Sequence, residues 1–236
     1  MDREAIVKEP MSAFGTFGSM PSPGEDTEIP NELSQLVNRN ELIMEAYQGS
    51  IDTYGITDSL GQLVFHVAIE FGTNAKYYIF DVTKQFVMVV LRPFKWCGDC
   101  VCCAEGCAAY PGYVYDSQGH KLGMVKPMNY CAYPIFGVFD NEENQKFSLQ
   151  TSTCPNQSFF FKGDIDYKIM RVSDGSEAGC VSKIWGGLEK KRFNYSDTYR
   201  IEMGHLRDVN EKALVLAATI VMVSSSRISR LFYRRY

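Results

Sequence analysis

Residues 213–223 carry one polar side chain, Thr219, among Ala213, Leu214, Val215, Leu216, Ala217, Ala218, Ile220, Val221, Met222 and Val223. A helix with no polar side has to be surrounded completely, by protein or by lipid. At about 1.5 Å per residue the run is roughly 16 Å long, about half of a hydrocarbon layer of roughly 30 Å. It is too apolar for a surface helix and too short for an ordinary membrane span. Asp208 stands ahead of it as a candidate N-cap and Ser224, Ser225, Ser226 and Arg227 follow, so a helix is predicted over about 208–232.

The rest of the chain says what could surround such a helix. From residue 41 the apolar period becomes strand-like, with candidate strands at 41–48, 54–58, 62–71, 77–81, 85–92, 112–116, 121–126, 134–139, 146–152, 158–162, 166–172, 180–184 and 199–203. They are short, rich in Tyr, Phe, Val and Ile, and separated by turn chemistry such as Asp116-Ser117-Gln118-Gly119 and Ser173-Asp174-Gly175-Ser176. Strands spaced in this way read as an antiparallel barrel or sandwich. A barrel widens with strand number, and one of about eleven or twelve strands has room for an axial helix. Small Ala213, Ala217 and Ala218 would let the wall approach. A membrane span would instead have to reach Tyr233 and carry Arg227 and Arg230, each costing about 2.5–3.5 kcal/mol at mid-bilayer. The expected fold is therefore mainly β, an antiparallel barrel of about twelve strands enclosing the hydrophobic C-terminal helix.

Residues 10–30 contain four prolines and three glycines, so 1–30 is expected to be a flexible arm, with a single domain over 31–236. Residues 31–38 suit a short amphipathic helix through Leu33, Leu36 and Val37. No internal repeat is evident. A net charge of −4 argues against a dedicated nucleic-acid binder. The first nine residues lack an apolar signal region, which points to the reducing cytosol. The eight cysteines are then expected as thiols, metal ligands or acylation sites rather than disulfides.

Cys97, Cys100, Cys102, Cys103 and Cys107 fall on one segment behind Phe94 and Trp96. A structural zinc site draws its thiolates from two separated knuckles, and no second CxxC pair exists, although Cys131, Cys154 or Cys180 could supply a ligand. Zinc is disfavoured on that ground. Acylation of clustered exposed thiols fits better, because stable anchoring takes two or more chains. Burial as small core residues suits Cys131, Cys154 and Cys180 better than the cluster. No GxSxG, HExxH, phosphate-loop or GxGxxG motif occurs, and His66, His120 and His205 are scattered, so covalent catalysis is not expected. Arg227, Arg230, Arg234 and Arg235 form a basic end that reads equally as a solvated tail or as a contact with an anionic leaflet.

Four stretches in order resemble the phospholipid scramblase family over roughly 29–232. They are Tyr54-Gly55-Ile56-Thr57-Asp58-Ser59-Leu60-Gly61; Leu91-Arg92-Pro93-Phe94-Lys95-Trp96-Cys97 running into the cysteines; Gly179-Cys180-Val181-Ser182-Lys183-Ile184-Trp185; and Asp208-Val209 with Lys212-Ala213 and the apolar helix. The resemblance implies a tubby-like barrel and calcium-stimulated, ATP-independent, bidirectional movement of phospholipids between leaflets. It also implies anchoring through acylated cysteines, membrane phospholipids as partners, and the cytoplasmic face of a membrane, the plasma membrane first. Scrambling through such a chain would call for self-association. The competing reading is an acylated membrane adaptor that binds lipid or protein and translocates nothing.

One departure concerns calcium. The family's EF-hand-like loop, laid over 195–206, leaves Asp197 as the one carboxylate at a ligand position and Ile201 as a carbonyl position, with Tyr195, Tyr199, Met203 and Leu206 at other ligand positions. Calcium takes six to eight oxygens, so weak or absent binding is expected at this loop.

Overall fold

The computed structural model describes residues 31–47, 53–71, 74–93, 110–129, 135–151, 163–184 and 198–233. A short 3-10 helix (Asn31–Leu36) precedes twelve strands and one long helix. The strands are β1 (Glu41–Ala46), β2 (Thr53–Asp58), β3 (Leu63–Phe71), β4 (Asn74–Asp81), β5 (Phe86–Pro93) and β6 (Gly112–Asp116). They continue with β7 (Lys121–Asn129), β8 (Ile135–Asp140), β9 (Gln145–Gln150), β10 (Ile165–Arg171), β11 (Glu177–Ile184) and β12 (Thr198–Glu202), and the helix is α1 (Val209–Tyr233).

Each strand pairs antiparallel with its sequence neighbours, and β1 pairs with β12, Leu42 opposite Ile201, which closes the sheet into a barrel. Closure removes both exposed edges. Twelve of the strand segments expected from the sequence are strands, and the thirteenth, 158–162, lies outside the described residues. Period-two alternation sorts the side chains: in β4, Ala75, Tyr77 and Ile79 point inward and are buried, while Lys76, Tyr78 and Phe80 are half-exposed on the outside.

Inside the barrel runs the first part of α1. Every residue from 213 to 223 is at most 4% exposed, so protein encloses the apolar run on all sides. Thr219, the single polar residue in it, donates its hydroxyl to the Val215 carbonyl at 3.1 Å and leaves no demand on its surroundings. No helix among the described residues is long and apolar enough to cross a membrane. Asp208 is the cap the sequence suggests: its Oδ1 accepts the Asn210 N–H at 3.0 Å and its carbonyl accepts that of Lys212 at 3.1 Å.

The N-terminal segment differs from expectation in a physically clear way. It is 3-10 rather than α, so positions three apart share a face. Leu33 and Leu36 are buried, whereas Val37 is 44% exposed and stands outside the apolar contact expected of it.

Strand pairing also exposes a local repeat that the strand pattern hides. Asp58, Asp81, Asp116 and Asp140 each end an even-numbered strand, and each takes two N–H groups, two and four residues on, with Oδ1. Each Asp N–H donates to the carbonyl four residues on, and each Asp carbonyl accepts the N–H three residues on. The third loop residue is left-handed in all four, with φ of 77° at Gly61, 65° at Lys84, 86° at Gly119 and 67° at Glu143. This is a three-residue hairpin loop ending in a bulge, locked by its leading carboxylate.

Candidate functional site

In an up-and-down barrel, alternate connections lie at opposite ends. The four Asp-led turns, the β10–β11 turn and the 203–208 link to α1 therefore share one end, the turn rim. Connections β1–β2, β3–β4, β5–β6, β7–β8, β9–β10 and β11–β12 belong to the opposite end, the far rim. Strand β12 runs toward the turn rim, so α1 starts there and points back through the barrel. Two glycines mark its path. A Cβ on Gly123, near the start of β7, would stand 2.9 Å from Leu214 Cδ2. On Gly112, where β6 leaves the far rim, it would stand 2.6 Å from Val221 Cγ2 and 3.2 Å from Val90 Cγ1.

Lengths place the helix end. Twenty-five residues at about 1.5 Å give roughly 37 Å. Strands of five to nine residues, at about 3.3 Å each and tilted by about 40°, make a wall of roughly 13–23 Å. The last turns of α1 consequently project past the far rim. Ala213, Leu214, Leu216, Ala217, Ile220 and Val221 lie within the wall. Arg227 and Arg230 are helical by backbone, and their side chains lie outside the described residues.

The far rim also anchors the cysteine-bearing stretch. Cys97, Cys100, Cys102, Cys103 and Cys107 lie outside the described residues, but their connection leaves β5 at Pro93 and rejoins at Gly112, against the end of the enclosed helix. Cys180 stands apart from it. It is a half-buried free thiol on β11 opposite Glu202, toward the turn rim, and burial pushes its pKa up. Among the described residues no three His, Cys, Asp or Glu side chains are grouped to hold a metal ion.

Residues 198–202 of the proposed calcium loop are strand β12, hydrogen-bonded between β1 and β11. Ile201 is buried in the middle of that strand, and Tyr199, Met203 and Leu206 are core side chains. Asp197 lies outside the described residues. The histidines are dispersed: His66 Nδ1 lies 2.8 Å from the Tyr47 hydroxyl, His120 Nδ1 lies 3.1 Å from Asp116 Oδ2, and the His205 carbonyl accepts Arg171 at 2.8 Å.

Lys212 figures in the sequence only as part of the family resemblance, with no role attached. Its side chain is 1% exposed, and Nζ donates to the carbonyls of Leu36, Val37 and Arg39 at 3.1, 2.9 and 2.8 Å. A buried ammonium survives when its protons are all taken. These three bonds tie the first turn of α1 to the segment that covers the turn rim. The signal was a lone cation next to an apolar run, which has little meaning until its partners are known.

The Scramblase family model matches residues 54–224, from β2 through the enclosed part of α1. The chain belongs to the Scramblase family. This scramblase-family chain is 24% identical over 222 residues to phospholipid scramblase 1 of Mus musculus, covering 86% of this chain and 66% of that protein. With phospholipid scramblase 1 of Homo sapiens the identity is again 24%, over 86% of this chain and 68% of the relative. Phospholipid scramblase 2 of Bos taurus is 23% identical, over 86% and 73%. The chain thus spans about two thirds of the length of these relatives. Among solved structures it is similar to an X-ray structure of an Arabidopsis thaliana protein, with a TM-score of 0.46 and 14% identity over 80% of this chain and 97% of that one. The fold rests on the strand pairing itself.

Proposed function

We propose that this chain is a phospholipid scramblase, moving phospholipids in both directions between leaflets without ATP and without covalent catalysis. The observation that carries this reading is the family match across both the barrel and its enclosed helix. Acylated cysteines of the β5–β6 connection would hold the far rim against the cytoplasmic face of a membrane, the plasma membrane first.

Moving a zwitterionic headgroup through hydrocarbon requires replacing the water around its charges. The barrel as folded has a close-packed interior in which α1 fills the axis. Transport therefore calls for α1 to leave the barrel, with self-association and with Ser224, Ser225, Ser226, Arg227 and Arg230 thinning or lining the path. Calcium at 195–206 plays at most a weak part in this scheme. The test is purified full chain in asymmetrically labelled liposomes. Equilibration of label without ATP supports the reading; retention of asymmetry with and without calcium ends it.

A second reading is favoured by how completely α1 is enclosed and tied at its start. In it the chain is an acylated membrane adaptor, and the helix never leaves. Thiol labelling of Ala218→Cys separates the two, since label enters in a lipid-dependent manner only if the helix is released.

A further inference from the structure

The outside of the barrel is chemically two-sided. On β4–β8 the outward strand positions include Tyr78, Phe80, Phe86, Tyr113, Tyr115 and Phe139, all half-exposed, and Met128 is 51% exposed. Three of them pack together, with Tyr78 and Phe86 6.2 Å apart and Phe80 and Phe86 6.0 Å apart between ring centres. The charges placed among them are Lys76, Lys121 and Lys126. Carboxylates on these five strands are Asp81, Asp116 and Asp140, each at the strand's last position and bound into the turn that follows. Lys76 pairs with Glu70 on the adjoining β3, which also accepts the Tyr78 hydroxyl at 3.0 Å, and Lys121 pairs with Glu143 in the β8–β9 turn.

Across the barrel, β10–β12 and β1 present Asp166, Glu177, Glu202, Glu41 and Glu45 outward, answered by Lys168 and Arg200. The two faces differ in polarity and in the balance of charge. A surface of aromatic rings with lysines and no free-standing carboxylate suits a boundary between hydrocarbon and anionic headgroups. Tyrosine places an apolar ring and a polar tip there, and each lysine near such a surface adds attraction. The opposite half would be repelled.

We propose that the outer face of β4–β8 is a docking surface for an anionic phospholipid bilayer. The occupant follows from charge complementarity and from continuity with the tether, because the cysteine-bearing connection joins β5 to β6 at the far-rim end of this face. That orientation rests on the membrane reading above. With the face against the leaflet, the barrel axis lies inclined to the membrane and the acidic half looks away from it.

Full chain made in bacteria, without acyl groups, tests the surface directly. It should float with vesicles of equimolar phosphatidylserine and phosphatidylcholine and not with phosphatidylcholine alone. The double variant Lys126→Glu/Met128→Glu, at two exposed positions, should lose about ten-fold in affinity, whereas Lys168→Glu/Arg200→Glu should not weaken. A footprint on the unaltered chain guards against misfolding: vesicles should shield Lys76, Lys121 and Lys126 from amine modification and leave Lys168 open. No preference for phosphatidylserine, equal loss in both variants, or uniform lysine modification overturns the proposal. A chain that scrambles lipid but shows no shielding here sinks the docking face alone. One that docks but leaves leaflets unmixed sinks the transport reading alone.

Discussion

The side-chain nitrogen of Lys212 donates to the carbonyl of Arg39 at 2.8 Å, so the first turn of the central helix is fastened to the segment ahead of β1. It also donates to the carbonyls of Leu36 and Val37, so all three of its acceptors are backbone oxygens. The ammonium helps hold the enclosed helix in place, beside the Arg171–Glu211 pair at 3.7 Å.

Lys212→Met removes a donor from three carbonyls, of which that of Leu36 keeps the Arg39 N–H at 3.2 Å. The expected cost is about 2–4 kcal/mol, from the unsatisfied acceptors together with the loosened contact. Urea unfolding measures it, and amide exchange at 36–39 should accelerate. A change below about 0.5 kcal/mol would show the latch to be incidental.

Gly112 admits the helix at the far rim. Gly112→Val drives a branched side chain into Val221 and should destabilise by about 1–3 kcal/mol. Adding Val221→Ala should return part of the loss, a coupling visible in a double-mutant cycle of thermal unfolding. Strict additivity of the two changes would place Val221 elsewhere.

The Asp-led turns give the barrel an acid limit. Burial works to raise the Asp81 carboxyl, but the Thr83 hydroxyl and the N–H groups of Gln85 and Thr83 outweigh it and hold the pKa below the ordinary aspartate value. Asp140 is lowered in the same way, burial opposing and Asn144 and Lys146 prevailing. A depressed carboxyl contributes stability that is complete above its unfolded pKa of about 3.9 and lost as pH falls through the folded value. Stability should therefore drop steeply below about pH 4. Asp81→Ala should cost about 2 kcal/mol at neutral pH and flatten that drop. Chemical denaturation across pH would contradict this if the variant kept the wild-type slope.

Thr219 should matter little. Its hydroxyl is satisfied within the helix, so Thr219→Val is expected to shift stability by no more than about 0.5 kcal/mol and to leave lipid equilibration unchanged. A strong transport defect would mark the hydroxyl as part of a polar path.

At 195–206, titration calorimetry is expected to show no micromolar calcium site. Micromolar affinity that Asp197→Ala abolishes would reverse that expectation.

The barrel was legible because each strand announces itself twice, by alternation and by a turn residue at its end. The enclosed helix was legible from apolarity without a polar side, which has few resting places. Lys212 was not, since three backbone carbonyls leave no trace in side-chain chemistry. Nor was the turn repeat: Lys84 and Glu143 occupy left-handed positions where Gly61 and Gly119 would be expected, so composition disguised it. The two-sided exterior needed the register, because only pairing shows that Tyr78, Phe86 and Tyr115 share a face. The cysteine segment lies outside the described residues, and its chemistry still stands on sequence.

Because α1 follows β12, the axis of this barrel leaves the ribosome only after all twelve strands. Until then twelve strands have no filling, and the β1–β12 seam has nothing to close upon. Productive folding must wait for synthesis to pass Val223, and in that interval a nascent greasy segment can be claimed by whichever apolar host reaches it first, its own wall or a nearby bilayer.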